Sequence, residues 1–361
     1  MNNPEFRINN FDLIRLFAAT QVVLIHIVHI MNLESGVLFS GLLRFITLFP
    51  GVPIFFFISG FLISKSFENN NRLVEYAQNR FLRLYPALIA CVTLSFIFIY
   101  VSGYMNLVQQ DMISWVKLFL AKASFLQFYN PDFMRGYGDG VVNGSLWTIT
   151  VELQFYLLVP IIYWLMGHRK ERVTNLKLFY LLMIFFLINR IFTYIPDVLK
   201  EEVWYKLFRV SFLPWFYMFL VGVIFQRNFK KILVVMKGKA GLLFFLYLVA
   251  GYFVIKFNLS LGNNVNPILF VVLSLLIMAA AYSFPGSAKK ILKRNDFSYG
   301  VYIYHMPIIN YLIYKGFESN GYAALVAFFG TFLVAFLSWK LIESKSLALK
   351  KHPLNPIKST K

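Results

Sequence analysis

Long apolar runs alternate with short polar stretches along the whole chain. Ten runs stand out, at 11–31, 43–64, 84–103, 145–166, 176–195, 211–226, 240–256, 267–284, 297–314 and 322–342. A helix crosses a bilayer with ~20 mostly apolar residues, so each run predicts one span. The expected fold is all-α and integral to the membrane, with about ten transmembrane helices in a single domain over 1–361. The longest loop, 104–144, holds a semi-apolar stretch from Trp115 to Phe128 that predicts an amphipathic or re-entrant helix. A Gly- and Asp-rich turn region follows, from Pro131 to Gly144.

The first run, FDLIRLFAATQVVLIHIVHIM, breaks the apolar pattern with Asp12, Arg15, His26 and His29. Asp12, Arg15, Ala19, Val22, His26 and His29 step by three or four, which puts them on one stripe of a helix. Arg15 and His26 are eleven apart, about three turns with only ~20° of drift. Ionisable groups are costly in hydrocarbon, so such a stripe faces protein or a wet cavity and marks function. The structural alternative pairs Asp12 with Arg15 near the head groups and uses the histidines to join helices.

Charge changes the picture by fixing orientation. The formal net charge is +19, yet the basic residues sit in alternate loops. One set holds Lys65, Arg72, Arg80 and Arg83, the next Arg169, Lys170, Arg172 and Lys177, and a third Arg227, Lys230, Lys231, Lys237 and Lys239. A fourth holds Lys289, Lys290, Lys293 and Arg294, and the tail Lys345, Lys350, Lys351, Lys358 and Lys361. The intervening loops are nearly neutral or balanced, as at 190–209. This is the positive-inside distribution, with both termini cytoplasmic, and it argues against nucleic acid as a partner. The chain is 59% hydrophobic and 14% charged, which excludes a soluble globule. The N-terminus lacks the marks of a cleaved signal peptide. No fused extracytoplasmic domain and no internal repeat of 20–50 residues is expected. Cys91 is the single cysteine, so no intrachain disulfide or Cys-cluster metal site can form.

Four further runs carry candidate chemistry. NRFLRLYPAL sets Arg80 and Arg83 at i, i+3 on one face, and the planar fork of arginine suits phosphate; plain positive-inside anchoring is the alternative. NGSLWTITVELQFYLLVPII opens with Ser145 and Trp147 and carries Glu152 inside its apolar run. By a rise of ~1.5 Å per residue, Glu152 and His26 fall at similar depth, ~10 Å from the outer edge. A carboxylate beside an imidazole would orient it; a bond from Glu152 to a hydroxyl or indole is the alternative. FSYGVYIYHMPIINYLIY places His305 in mid-run and Pro307 two residues later, which frees backbone carbonyls that need partners. A structural part for His305 is the bland reading. Ser59 and Gly60 suit close helix packing, and Glu343, at the end of the tenth run, is placed to pair with an inner-face arginine. Asp12, Ser145, Trp147, His305 and Glu343 are candidates for supporting parts.

In this order, FDLIRLFAATQVVLIH, GVPIFFFISGFLIS, RFLRLYPAL, GSLWTITVELQFYLLVPI, YGVYIYHMPI and a final LIE resemble the acyltransferase-3 family of bacterial membrane O-acyltransferases. Each motif alone is weak; six in order across nearly the whole chain are specific. The resemblance implies transfer of an acyl group, often acetyl, from cytoplasmic acyl-CoA to a hydroxyl of an envelope glycan or lipid-linked glycan. It implies a bacterial inner-membrane location, with acyl-CoA as donor substrate and no permanently bound cofactor or metal. It marks His26 as the catalytic histidine, Arg15 as its partner, and Arg80 and Arg83 as donor-binding. The family's arginine-proline after the last glutamate is replaced by Ser344 and Lys345, which weakens the case for Glu343. With Glu152 added from its depth, His26 is expected to act as general base, ahead of a covalent acyl-histidine route. The rival class is a proton-coupled transporter or glycan-lipid flippase, because intramembrane His, Arg and Glu also suit proton relays.

Overall fold

The structure is a computed structural model and describes Phe6 and residues 9–33, 37–166, 174–284, 286–293 and 295–350. Arg169, Lys170, Arg172, Arg294, Lys351, Lys358 and Lys361 lie outside the described residues. Among those described the chain is all-helical, with no strand. The main helices are α1 Phe11–Ile30, α2 Val37–Thr47, α3 Gly51–Asn69, α4 Leu73–Ser102, α5 Met112–Ala123, α6 Trp147–Leu165 and α7 Asn175–Thr193. They continue as α8 Phe216–Arg227, α9 Phe229–Met236, α10 Ala240–Lys256, α11 Pro267–Ser283, α12 Ser298–Tyr314 and α13 Gly321–Ser338. Side-chain caps start several of them: Asp111 before α5, Thr174 before α7, Asn266 before α11 and Asn320 before α13 each accept from a backbone N–H.

Every expected apolar run carries a helix, but not every helix is long. Six stretches are long and apolar enough to cross a membrane: Phe11–Ile30, Gly41–Asn69, Leu73–Ser102, Gly144–Leu165, Asn175–Thr193 and Gly321–Ala348. A seventh arises if α9 and α10, bent by 89° at their junction, count as one. The chain is therefore a multi-pass membrane protein, with six or seven membrane-capable helices among the described residues against the ten expected. The shortfall has a local cause. In the run 211–226 the helix starts only at Phe216, after the turn that holds Pro214. α11 and α12 have 17 residues each, one turn or so under a full crossing.

Small residues set the closest packing. A Cβ at Gly60 would lie 2.0 Å from the Phe219 carbonyl oxygen, and one at Gly222 would lie 2.2 Å from that of Phe57. The backbones of α3 and α8 thus touch through two facing glycines, as expected for Gly60. Gly51 does the same against Ala18 of α1. α12 is the central helix: every residue from Ser298 to Asn310 is buried, and it packs on α1, α4 and α13. α7 shows the opposite character, with Ile184, Leu187 and Ile191 exposed as a lipid-facing surface.

Proline kinks explain two polar contacts near the centre. Pro307 removes the donor that would meet Ile303, four residues back. The freed Ile303 carbonyl accepts from Asn143 Nδ2 at 2.9 Å and from Cys91 Sγ at 3.2 Å. Pro160 frees the Tyr156 carbonyl in the same way, and the Tyr76 hydroxyl donates to it at 3.0 Å. The semi-apolar stretch of the long loop forms α5, which lies on α4. The Gly- and Asp-rich turns then reach α12: the Asp139 N–H donates to Asn310 Oδ1 at 3.1 Å, and Asn310 Nδ2 donates to Val141 O at 2.7 Å.

Candidate active site

Three elements converge on one acidic residue. α1 supplies Arg15, α4 supplies Arg83, and the turn before α12 supplies Asp296. Arg83 Nη2 donates to Asp296 Oδ2 at 2.6 Å, and Arg15 Nη1 reaches the same oxygen at 3.4 Å. Arg15 also lies 3.5 Å from Asp12, one turn back on α1. Ser298 Oγ donates to Asp296 Oδ1 at 2.6 Å. Burial opposes ionisation of Asp296, but the two guanidiniums and the Ser298 hydroxyl outweigh it and hold the carboxyl below its ordinary value. Arg80, on the same face as Arg83, donates to Ser66 Oγ at 3.3 Å, and its guanidinium lies 5.6 Å from the Tyr156 ring and 5.7 Å from the Tyr76 ring.

Arg15, Arg80, Arg83, Asp296, Ser298 and Tyr156 line a cavity of about 370 Å³. Lys350 joins Arg15, Arg80 and Arg83 in its wall, with Trp339 beside them. Burial, then repulsion by Arg80, Arg83 and Arg15, pulls the Lys350 ammonium down to about 7. Further in stands a carboxylate, where Glu152 Oε1 accepts from Ser59 Oγ at 2.9 Å and from the Tyr156 hydroxyl at 2.5 Å. One turn further along α6 and α12, Thr148 and Tyr302 share a hydrogen bond of 2.6 Å across the cavity. Phe55 packs its ring 5.4 Å from that of Tyr302.

One turn along α12 from Tyr302 is a histidine pair. His26 Nδ1 of α1 and His305 Nε2 of α12 are 2.8 Å apart. His305 follows Tyr302 by one turn, with ring centroids 6.2 Å apart. His305 is fully buried, while His26 is partly exposed. His29, on the edge of the same stripe, is exposed.

The structure rearranges several expected partnerships. Glu152 bonds Ser59 and Tyr156 rather than His26, because depth along a helix says nothing of the direction a side chain takes around it. Arg15 shares the polar stripe with His26 but cannot touch it: eleven residues are ~16 Å of helix. Its partners are Asp296 and Asp12. Trp147 packs on Trp215, ring centroids 5.4 Å apart, with Arg209 over its face, and takes no part in the cavity wall. Ser145 is buried and donates to Asn143 Oδ1 at 2.7 Å, bracing the start of α6. Glu343 is 2% exposed and accepts from Ser338 at 3.3 Å; it forms no ion pair among the described residues. It lies in a π-helical turn, Trp339–Glu343, which turns Trp339 and Glu343 inward together.

Asp296, Lys350 and Tyr302 escaped the sequence reading, whereas the bond from Ser59 to Glu152 is the hydroxyl alternative it carried for Glu152, with the donor now identified. Asp296 left one signal: it is an acid closing the basic stretch KKILKRND at the foot of a span. Lys350 counted only as a tail charge.

A profile described as an acyltransferase domain matches residues 8–340. The chain is 31% identical over 355 residues to Nodulation protein 10 of Rhizobium leguminosarum bv. viciae, covering 95% of this chain and 94% of that protein. It is 26% identical over 356 residues to the O-acetyl transferase of Shigella phage Sf6, covering 94% and 96%. It is 27% identical over 325 residues to the peptidoglycan O-acetyltransferase OatA of Listeria monocytogenes serovar 1/2a, covering 82% of this chain and 51% of that protein. No solved structure matches significantly.

Proposed function

The chain belongs to the acyltransferase-3 family, matched over residues 8–340, and from that premise we propose that it moves an acyl group, acetyl first, from acyl-CoA to a hydroxyl of an envelope glycan. One observation carries the reading. A cavity lined by Arg15, Arg80, Arg83 and Lys350 is also lined by Tyr302, one turn from the His26–His305 pair. Arg80 and Lys350 stand beside the Arg15–Asp296–Arg83 cluster, and guanidinium forks in a partly dry site suit the phosphates of a nucleotide donor. The basic mouth lies where the positive loops cluster, so the donor enters from the cytoplasm. The protein is then a resident of the bacterial inner membrane, with its glycan acceptor, free or lipid-linked, at the outer side.

The chemistry is an acyl transfer between oxygen and sulfur. His26 accepts the proton of the acceptor hydroxyl as that oxygen bonds to the thioester carbonyl carbon. The carbon–sulfur bond breaks, and the CoA thiolate leaves and recovers a proton. Tyr302 lines the cavity and its ring lies 6.2 Å from that of His305, so the thioester arm has to reach past Tyr302 to meet His26. Two relatives are named as O-acetyl transferases, which supports oxygen as acceptor atom and acetyl as cargo.

Purified protein should release free CoA from acetyl-CoA only when a glycan acceptor is present. A general base contributes ~10²–10⁴-fold, so His26→Ala and His26→Gln should both lose most of that release at matched folded protein. Near-normal activity of His26→Gln would remove His26 from the chemistry. Acceptor-independent silence of the wild-type protein, with transport of a glycan or proton instead, would return the carrier reading.

A further inference from the structure

We infer that His305 is a positioning residue: it accepts the Nδ1 proton of His26 and so holds His26 Nε2 as the basic nitrogen. The inference rests on the acyl-transfer reading above. Neutral imidazole carries one proton on one of two nitrogens, and the bond made by one nitrogen decides the role of the other. In this pair one nitrogen of His26 is taken by His305 and the other is open.

His305 has no water-facing surface and sits in the middle of α12. Its Nδ1 is buried and has no hydrogen-bond partner among the described residues. Its Nε2 lies 2.8 Å from His26 Nδ1. That contact occupies Nδ1 of His26 and leaves only Nε2 open to an acceptor hydroxyl. A general base at Nε2 needs its lone pair there, so the one proton of neutral His26 sits on Nδ1 and His305 Nε2 accepts it. His26 is also the member with exposed surface, so it is the one a substrate can reach. When Nε2 takes up the hydroxyl proton, the positive charge of the ring strengthens the Nδ1–H bond to His305. No proton has to pass to His305. The logic is that of a base oriented by a third group, with an imidazole in place of the carboxylate.

Position 305 is tested with two variants. His305→Leu keeps an apolar volume and removes the acceptor. His305→Gln offers its amide oxygen near the place of Nε2. Other residues that orient a reactive group cost ~10–100-fold when removed. The Leu variant should lose about that much in kcat, with KM for acetyl-CoA unchanged, because the donor cavity is a turn away. The Gln variant should recover to within a few-fold of wild type. A purely structural His305 predicts equal losses for both, following thermal stability. Histidine-selective ¹⁵N NMR gives a readout without turnover, since the chain has five histidines. Nδ1 of His26 should carry the proton in the wild-type protein, and in the Leu variant it should lose that preference. Full kcat in His305→Leu, or an unprotonated His26 Nδ1 in the wild type, overturns the inference. Should His305→Leu fail to fold, the wild-type spectrum and the Gln variant still decide it. Absence of acyl transfer in the wild-type protein would instead defeat the parent reading and leave the tautomer measurement standing.

Discussion

Lys350 titrates near neutrality because it is drawn out of water beside three arginines, and its pKa falls to about 7. A bound phosphate reverses the balance by favouring the ammonium. Binding then takes up a proton wherever free Lys350 is neutral, which is above about pH 7. Affinity for CoA should therefore weaken as pH rises from 6 to 8, by up to about tenfold for one such group. Lys350→Met should bind more weakly at pH 6 and lose this part of the slope. The quantity to compare is the difference between the two proteins by calorimetry, since the ligand's own phosphate titrates in both. Identical slopes would take Lys350 out of the donor site. Residues such as this one mark the limit of sequence reading. Arg80 and Arg83 were legible because helical period alone puts i and i+3 on one face. The partner of Arg83 is 213 positions away, and that of His26 is 279 away. No local pattern contains such a pairing; only the packing of α12 among α1 and α4 creates it. The misplaced Glu152 partner shows the same gap, since axial depth was legible and azimuth was not.

At the scale of elements, the apolar runs located every main span-forming helix, and the prolines and glycines inside them announced their own consequences. Pro307 was expected to free a carbonyl, and Asn143 and Cys91 meet it. Helix ends were less legible, because the turn at Pro214 and the π-helical turn at Trp339–Glu343 both fall inside the expected spans or at their edge without a Gly or Asn to mark them. Gly60 offers a direct test. Its missing Cβ lies against backbone of α8, which has no rotamer to change. Gly60→Ala and Gly222→Ala should each destabilise beyond the ~1–3 kcal/mol usual for overpacking. Gly241 of α10 has nothing within 4 Å of an added Cβ. Gly241→Ala should be neutral or gain up to ~1 kcal/mol from helix propensity. Thermal unfolding of the purified variants in one detergent measures all three. Equal stability of Gly60→Ala and Gly241→Ala would mean that α3 and α8 are not in backbone contact.

Across the whole molecule, charge and length make different claims about how often the chain crosses the membrane. Charge asks for ten crossings, so that every basic loop is cytoplasmic. Length grants six or seven membrane-capable helices among the described residues. The disagreement falls on α8, α11 and α12, and parity can resolve the first two. α8 has 12 residues, or ~18 Å of rise against a ~30 Å core. It can cross only with help from the turn before it and from α9 after it, shielded by α3, against which it is packed glycine to glycine. Cys91 is buried and single, so Cys91→Ser gives a background for placing one cysteine at a time. Val198, Val235, Leu259 and Lys290 are exposed positions in successive connections. With ten crossings, a membrane-impermeant maleimide added to sealed cells should label 198 and 259 and leave 235 and 290 untouched until the membrane is opened. If α8 does not cross, 235 changes sides and labels together with 198. If α8 crosses and α11 does not, 290 labels together with 259. Either result would leave Lys289 and Lys290 or the Lys230 cluster outside, against the charge rule. It would also move the mouth of the Arg15, Arg83 and Asp296 cavity relative to the donor's compartment. The labelling pattern therefore tests the topology and the side from which acyl-CoA must enter in one experiment.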